Sequence, residues 1–75
     1  MLLVRVVPQA VGWSVVGCGE AQFFHSGGRA ECAARRLAQA LADTGASVEL
    51  QISDRNGRLA GRLRVDYAGA AREFA

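Results

Sequence analysis

The spacing of alanine and leucine in the middle of the chain constrains it more than any other feature. Ala30, Ala33, Ala34, Leu37, Ala38 and Leu41 recur at i, i+3, i+4, i+7, i+8 and i+11, the single apolar stripe of an amphipathic helix. Ser26 offers an N-cap hydroxyl and Gly45 a left-handed stop, so a helix is expected from about Arg29 to Thr44. Its other side carries Glu31, Cys32, Arg35, Arg36, Gln39 and Asp43, with Glu31 one turn before Arg35 as a favourable pair. A stripe made mostly of alanine demands a partner surface that comes close.

That surface is a sheet. Leu2 to Val7 reads as a strand with Leu2, Val4 and Val6 on one side and Leu3, Arg5 and Val7 on the other. Pro8 is expected to end it, and Pro-Gln-Ala-Val-Gly to turn the chain into a second strand beginning at Trp13. Facing Val6 with Trp13, Val4 with Val15 and Leu2 with Gly17 keeps the inner set together, and sets Arg5 opposite Ser14 and Leu3 opposite Val16. Trp13 then belongs to the core. Gly17, Gly19 and Glu20 break this strand, and Gln22 to His25 is a possible short third one.

After the helix, Ser47 to Ser53 alternates without exception, with Val48, Leu50 and Ile52 inward. Asn56-Gly57 is a strong hairpin signal. A two-residue turn there pairs Leu63 with Leu50, Val65 with Val48 and Gly61 with Ile52, all inward, and sets Arg64 opposite Glu49 and Arg62 opposite Gln51. A three-residue turn with a bulge would pair Asp54 with Arg58 but put Arg62 and Arg64 on the apolar side, so the two-residue turn is preferred. Arg55 and Arg58 then stand opposite one another. The resulting fold class is α+β: a small antiparallel sheet made of a β-hairpin, a possible short third strand, one α-helix and a second β-hairpin, with the helix on one face. Residues 1–65 form a single domain, and 66–75 a loosely ordered or short helical tail.

The order of these features is familiar. VVPQAVGWSVVG, the Ala-rich RAECAARRLAQALA and VELQISDRNGRLAG together resemble the bacterial domain-of-unknown-function 2188 family, whose small proteins join a Val-Pro/Gly-Trp hairpin, one helix with Ala at core spacing, and a Glu/Leu/Ile strand turning through Asp/Arg/Gly. The likeness spans roughly Val4 to Leu63. This chain departs from it in a longer helix, a cysteine within that helix, the absence of lysine and an arginine-rich final strand. The resemblance implies a compact α+β fold in a bacterial protein and brings no activity, substrate or catalytic residue with it.

Composition excludes several classes of function. With 51% hydrophobic and 21% charged residues the chain is expected to fold rather than remain disordered. Two cysteines, Cys18 and Cys32, and one histidine cannot fill a structural zinc shell unaided, so no metal or cofactor is expected. No GxSxG, HExxH, CxxC or P-loop pattern is present, and the chain reads as a non-enzyme. The opening apolar run is too short, and broken by Arg5, to be a signal or a membrane span. A cytoplasmic protein with reduced thiols is expected.

Three candidate sites follow. Leu3, Val7 and Val16 point outward from the first hairpin, an apolar patch suited to self-association, and a 75-residue chain with a marginal core gains from dimerisation. A homodimer is the leading expectation. Arg55, Arg58 and Arg62 could instead follow a nucleic-acid backbone, although a net charge of +2 makes the overall field weak. Ser26, Gly27, Gly28 and Arg29 form a helix start at which an anion could sit, against the plainer reading of an N-cap in a tight turn.

Overall fold

The computed structural model describes residues 1–66 and, as a strand, residues 71–73. The chain runs β1 (Leu2–Pro8), β2 (Trp13–Gly17), β3 (Glu20–Phe24), α1 (Gly27–Ala42), β4 (Val48–Ser53), β5 (Leu59–Val65) and β6 (Ala71–Glu73). The six strands form one sheet in the order β3-β2-β1-β4-β5-β6, and α1 packs on it to give an α+β fold. Of the segment 66–75, expected as a loose or helical tail, Ala71–Glu73 adds a strand to β5, pairing Val65 with Ala71; residues 67–70 and 74–75 lie outside the described residues.

The sheet is mixed rather than antiparallel. β1 and β4 are parallel neighbours at its centre, with Val4 beside Leu50 and Val6 beside Ile52. Parallel neighbours need a long crossover, and the chain supplies one: β2 and β3 build outward from β1, then α1 carries the chain back across the sheet to start β4 at the same end as β1. Each hairpin therefore extends the sheet on its own side of a parallel seam.

Helix α1 begins two residues earlier than the periodicity suggests. Ser26 is extended and its Oγ accepts the Arg29 N–H at 3.0 Å, which extends the helix back through both glycines. At the other end Asp43, Thr44 and Gly45 donate N–H bonds to the carbonyls of Gln39, Leu41 and Ala42. Ala30, Ala34, Ala38 and Ala42 are fully buried, with Ala33, Leu37 and Leu41 flanking them. They meet Val4, Val6, Val15, Val48, Leu50 and Val65 from the sheet. The largest fully buried side chains are only Leu50, Val4, Val6 and Val48. The core is thin because the helix lies close.

The first hairpin keeps its predicted faces but slides by two residues. Val6 pairs with Val15, Val4 with Gly17, Arg5 with Val16 and Val7 with Ser14, and Pro8 remains in the strand opposite Trp13. The turn is Gln9–Gly12, closed by the Gln9 N–H on the Gly12 carbonyl at 3.0 Å. That bond points toward β2, so the nitrogen of Pro8 points the other way by alternation, where pairing with β4 has already stopped at Val6. Proline's missing donor is therefore not needed there. Gly12 has a φ of +83°, and a Cβ on it would fall 2.5 Å from the Phe24 carbonyl oxygen, so only glycine fits this turn.

The third strand is longer than expected and starts at Glu20. Cys18 and Gly19, with φ of 51° and 80°, make a tight two-residue turn that pairs Gly17 with Glu20 and Trp13 with Phe24. Glycine at 17 and 19 thus marks a hairpin.

In the last hairpin the two turns weighed as alternatives are reconciled. Asp54 does oppose Arg58, with the Asp54 N–H on the Arg58 carbonyl at 2.7 Å and the Gly57 N–H on the Asp54 carbonyl at 3.0 Å. A bulge then restores the register: Ser53 pairs with Leu59 but Ile52 with Gly61, leaving Ala60 as the extra residue. Leu50 still pairs with Leu63, Val48 with Val65 and Glu49 with Arg64. Arg55 and Arg58 are not opposite one another, because Arg55 lies inside a three-residue loop.

Candidate functional site

α1 covers one face of the sheet and leaves the other open. Alternation puts Leu3, Arg5 and Val7 of β1, Ser14 and Val16 of β2, and Ala21 and Phe23 of β3 on that open face. Leu3 is 44% exposed, Val16 36% and Phe23 52%, and Val7 is half-buried. Phe23 stands across from Ser14, and Val16 between Arg5 and Ala21. The patch predicted from Leu3, Val7 and Val16 is thus a real neighbourhood, and Phe23 joins it. Sequence reading missed Phe23 because the third strand had no register; Cys18-Gly19, read as the right turn, would have supplied one. The edge of the Phe23 ring meets the ring of His25, with centroids 5.2 Å apart and planes at 87°.

The β4–β5 half of the same face is polar and carries ion pairs. Glu49 accepts from Gln51 Nε2 at 2.6 Å and from Arg62 Nη2 at 3.3 Å. The hydrogen bond from Gln51, followed by that from Arg62, holds its carboxyl below the ordinary glutamate range. Arg64 sits directly across from Glu49 but donates from Nε to Asp66 Oδ1 at 3.2 Å instead. Glu49 therefore takes the diagonal arginine, Arg62, in place of the one expected.

The candidate phosphate-binding arginines are not presented as a row. Arg55 Nη1 donates to the Gly12 carbonyl at 2.6 Å, its Nη2 to that of Ala10 at 3.2 Å, and its guanidinium carbon lies 5.3 Å from the Trp13 ring centroid. It locks the β4–β5 turn onto the β1–β2 turn. Arg62 is held by Glu49, and Arg58 stands on the exposed side of its turn. Asp54 Oδ1 accepts the N–H groups of both Asn56 and Arg58, so this carboxylate orders the turn.

The helix start is likewise engaged within the chain. Ser26 already takes the Arg29 N–H, and Gly27 packs so tightly under Trp13 that a Cβ would come 3.0 Å from the indole. Arg29 lines a groove between α1 and β3. Trp13 is partly buried and packed against the core, as expected. Both cysteines are free and exposed. Among the described residues no three of His, Cys, Asp and Glu gather at one point, and no helix is long and apolar enough to cross a membrane.

No protein-family model matches the chain, and no curated protein or solved structure matches it either.

Proposed function

We propose that this protein is a small, non-enzymatic, cytoplasmic interaction module that pairs with a second copy of itself through the open face of its sheet. The observation that carries the reading is the split of that face: Leu3, Val7, Val16 and Phe23 make the β1–β3 half mainly apolar around Arg5 and Ser14, beside a polar half on β4 and β5 where Arg62 pairs with Glu49 and Arg64 with Asp66. A twofold axis brings one apolar half onto the same half of the twin, so a single patch serves both sides of the contact. The polar half then lies at the rim, where ion pairs keep their water.

The thin core supports the same reading. A sheet whose largest fully buried side chain is leucine, resting on a row of alanines, gains a second apolar layer when its other face is covered. Exposed free thiols at Cys18 and Cys32 suit a reducing compartment.

Size-exclusion chromatography with light scattering tests the proposal. The wild-type chain is expected at roughly twice its 7.9 kDa mass, and Leu3→Asp with Val16→Asp is expected to give a folded monomer. A wild-type monomer at every concentration, with the double variant indistinguishable from it, sinks the proposal.

A further inference from the structure

We propose a second binding site, for an extended acidic peptide from another protein, in the groove between α1 and the edge strand β3. β3 closes the sheet on one side, so among the described residues one of its two edges has no strand beside it. The tight Cys18–Gly19 turn makes Gly17 and Glu20 a hydrogen-bonded pair, and alternation along β3 then turns the N–H and C=O groups of Ala21 and Phe23 to the free edge. Such an edge accepts another strand.

Beneath that edge lies a groove of about 540 Å³, with Gln22 and Phe24 of β3 on one wall and Arg29, Cys32, Ala33, Arg36 and Leu37 of α1 on the other. Phe24, Ala33 and Leu37 give it apolar surface, and among the described residues that line it the charges are two guanidiniums. Among the described residues neither Arg29 nor Arg36 has an ion-pair partner: Glu31 is taken by Arg35, and Glu20 bridges to neither. Two uncompensated cations flanking that apolar surface match a ligand with two carboxylates around an apolar group.

The spacing selects the pattern. Seven residues separate Arg29 from Arg36, about 10 Å along a helix at ~1.5 Å per residue. Side chains entering the groove from an added strand come from alternate positions, so residues i and i+4 stand about 13 Å apart at ~3.3 Å per residue, with i+2 between them. Flexible arginine side chains take up the difference. The fitting sequence is acidic-x-apolar-x-acidic, its central residue over Ala33 and Leu37. No two acidic residues of this chain are four apart, so neither its own segments nor a second copy supplies that pattern. The edge hydrogen bonds distinguish such a peptide from a small amphiphilic anion, which has no use for them.

The test is fluorescence anisotropy with a labelled peptide Thr-Glu-Thr-Leu-Thr-Glu-Thr on the full chain. Saturable binding is expected, weakened roughly tenfold or more by Arg29→Glu with Arg36→Glu and recovered on that variant by the peptide carrying lysine for glutamate. That recovery also shows that the variant is folded. A peptide N-methylated at every internal amide is expected not to bind, and bound peptide is expected to slow alkylation of Cys32 but not of Cys18. No binding at millimolar peptide overturns the proposal. So does binding that survives N-methylation or is matched by decanoate, either of which marks the groove as an anion site without strand addition.

Discussion

Arg55 joins two hairpin turns far apart in the sequence: from the turn between β4 and β5 it donates at 2.6 Å to the carbonyl of Gly12, in the turn between β1 and β2. A second bond to the Ala10 carbonyl and the face of Trp13 complete its surroundings. These two turns lie at the same end of the central parallel pair, and the guanidinium spans them. Arg55→Ala is expected to destabilise the fold by about 1–2 kcal/mol, through loss of charge-assisted bonds to carbonyls and of a cation–π contact. Trp13 is the only tryptophan, so urea denaturation followed by its fluorescence reads the effect directly. Arg55→Lys keeps the charge but cannot span both carbonyls, and falls between the two.

Helix α1 touches the sheet through alanines with no exposed surface, so the helix-to-sheet distance is set by their size. Ala34→Leu is expected to cost about 1–3 kcal/mol by overpacking. A cavity between helix and sheet would instead make the substitution neutral or stabilising, and thermal denaturation distinguishes the two results.

The carboxyl of Glu49 is held low chiefly by Gln51 and next by Arg62. A carboxylate whose folded pKa lies below its unfolded value contributes stability above the unfolded pKa, and loses it as pH falls through the ordinary glutamate range toward the folded one. Gln51→Ala and Arg62→Gln are therefore each expected to raise the Glu49 pKa. Carboxyl carbon NMR shifts followed against pH give both values, and the stability of either variant should fall less than that of the wild type as pH drops through the ordinary glutamate range.

Gly57 holds a φ of +83° with open space around the position of a Cβ. Gly57→Ala thus meets no clash and is expected to cost only the conformational term, about 1 kcal/mol. Asp54→Ala removes the acceptor of two backbone N–H groups and should cost at least as much. Chemical denaturation of the two variants side by side checks the order.

How much of this was legible depended on which quantity alternation controls. Side-chain alternation assigned faces correctly in β1, β2 and β4 and from Gly61 onward in β5, while the bulge sets Leu59, expected inward, opposite the outward Ser53 and leaves it exposed; the alanine period placed the helix, because a wrong face exposes the whole apolar set. Register in the first hairpin was not legible, since a shift of two residues leaves every face unchanged and only the turn bond from Gln9 to Gly12 decides it. The last hairpin misled differently: a bulge at Ala60 lets the turn and the strands follow different registers, and no residue type announces it. The parallel β1–β4 seam depends on which strands neighbour each other across the helix, a relation that periodicity within one segment does not encode. Of the candidate site, the outward Leu3, Val7 and Val16 were readable from alternation alone. The tethering of Arg55 was not, because its acceptors lie more than forty residues away.

The central claim is that the open apolar half of the sheet meets its own copy. An isotope-filtered NOE experiment on a mixture of labelled and unlabelled protein tests it most directly. The account predicts intermolecular contacts among the methyls of Leu3, Val7 and Val16 and the ring of Phe23, with none from the alanines of α1. Intermolecular contacts confined to α1 or to the β3 edge, or their complete absence at millimolar concentration, would contradict it.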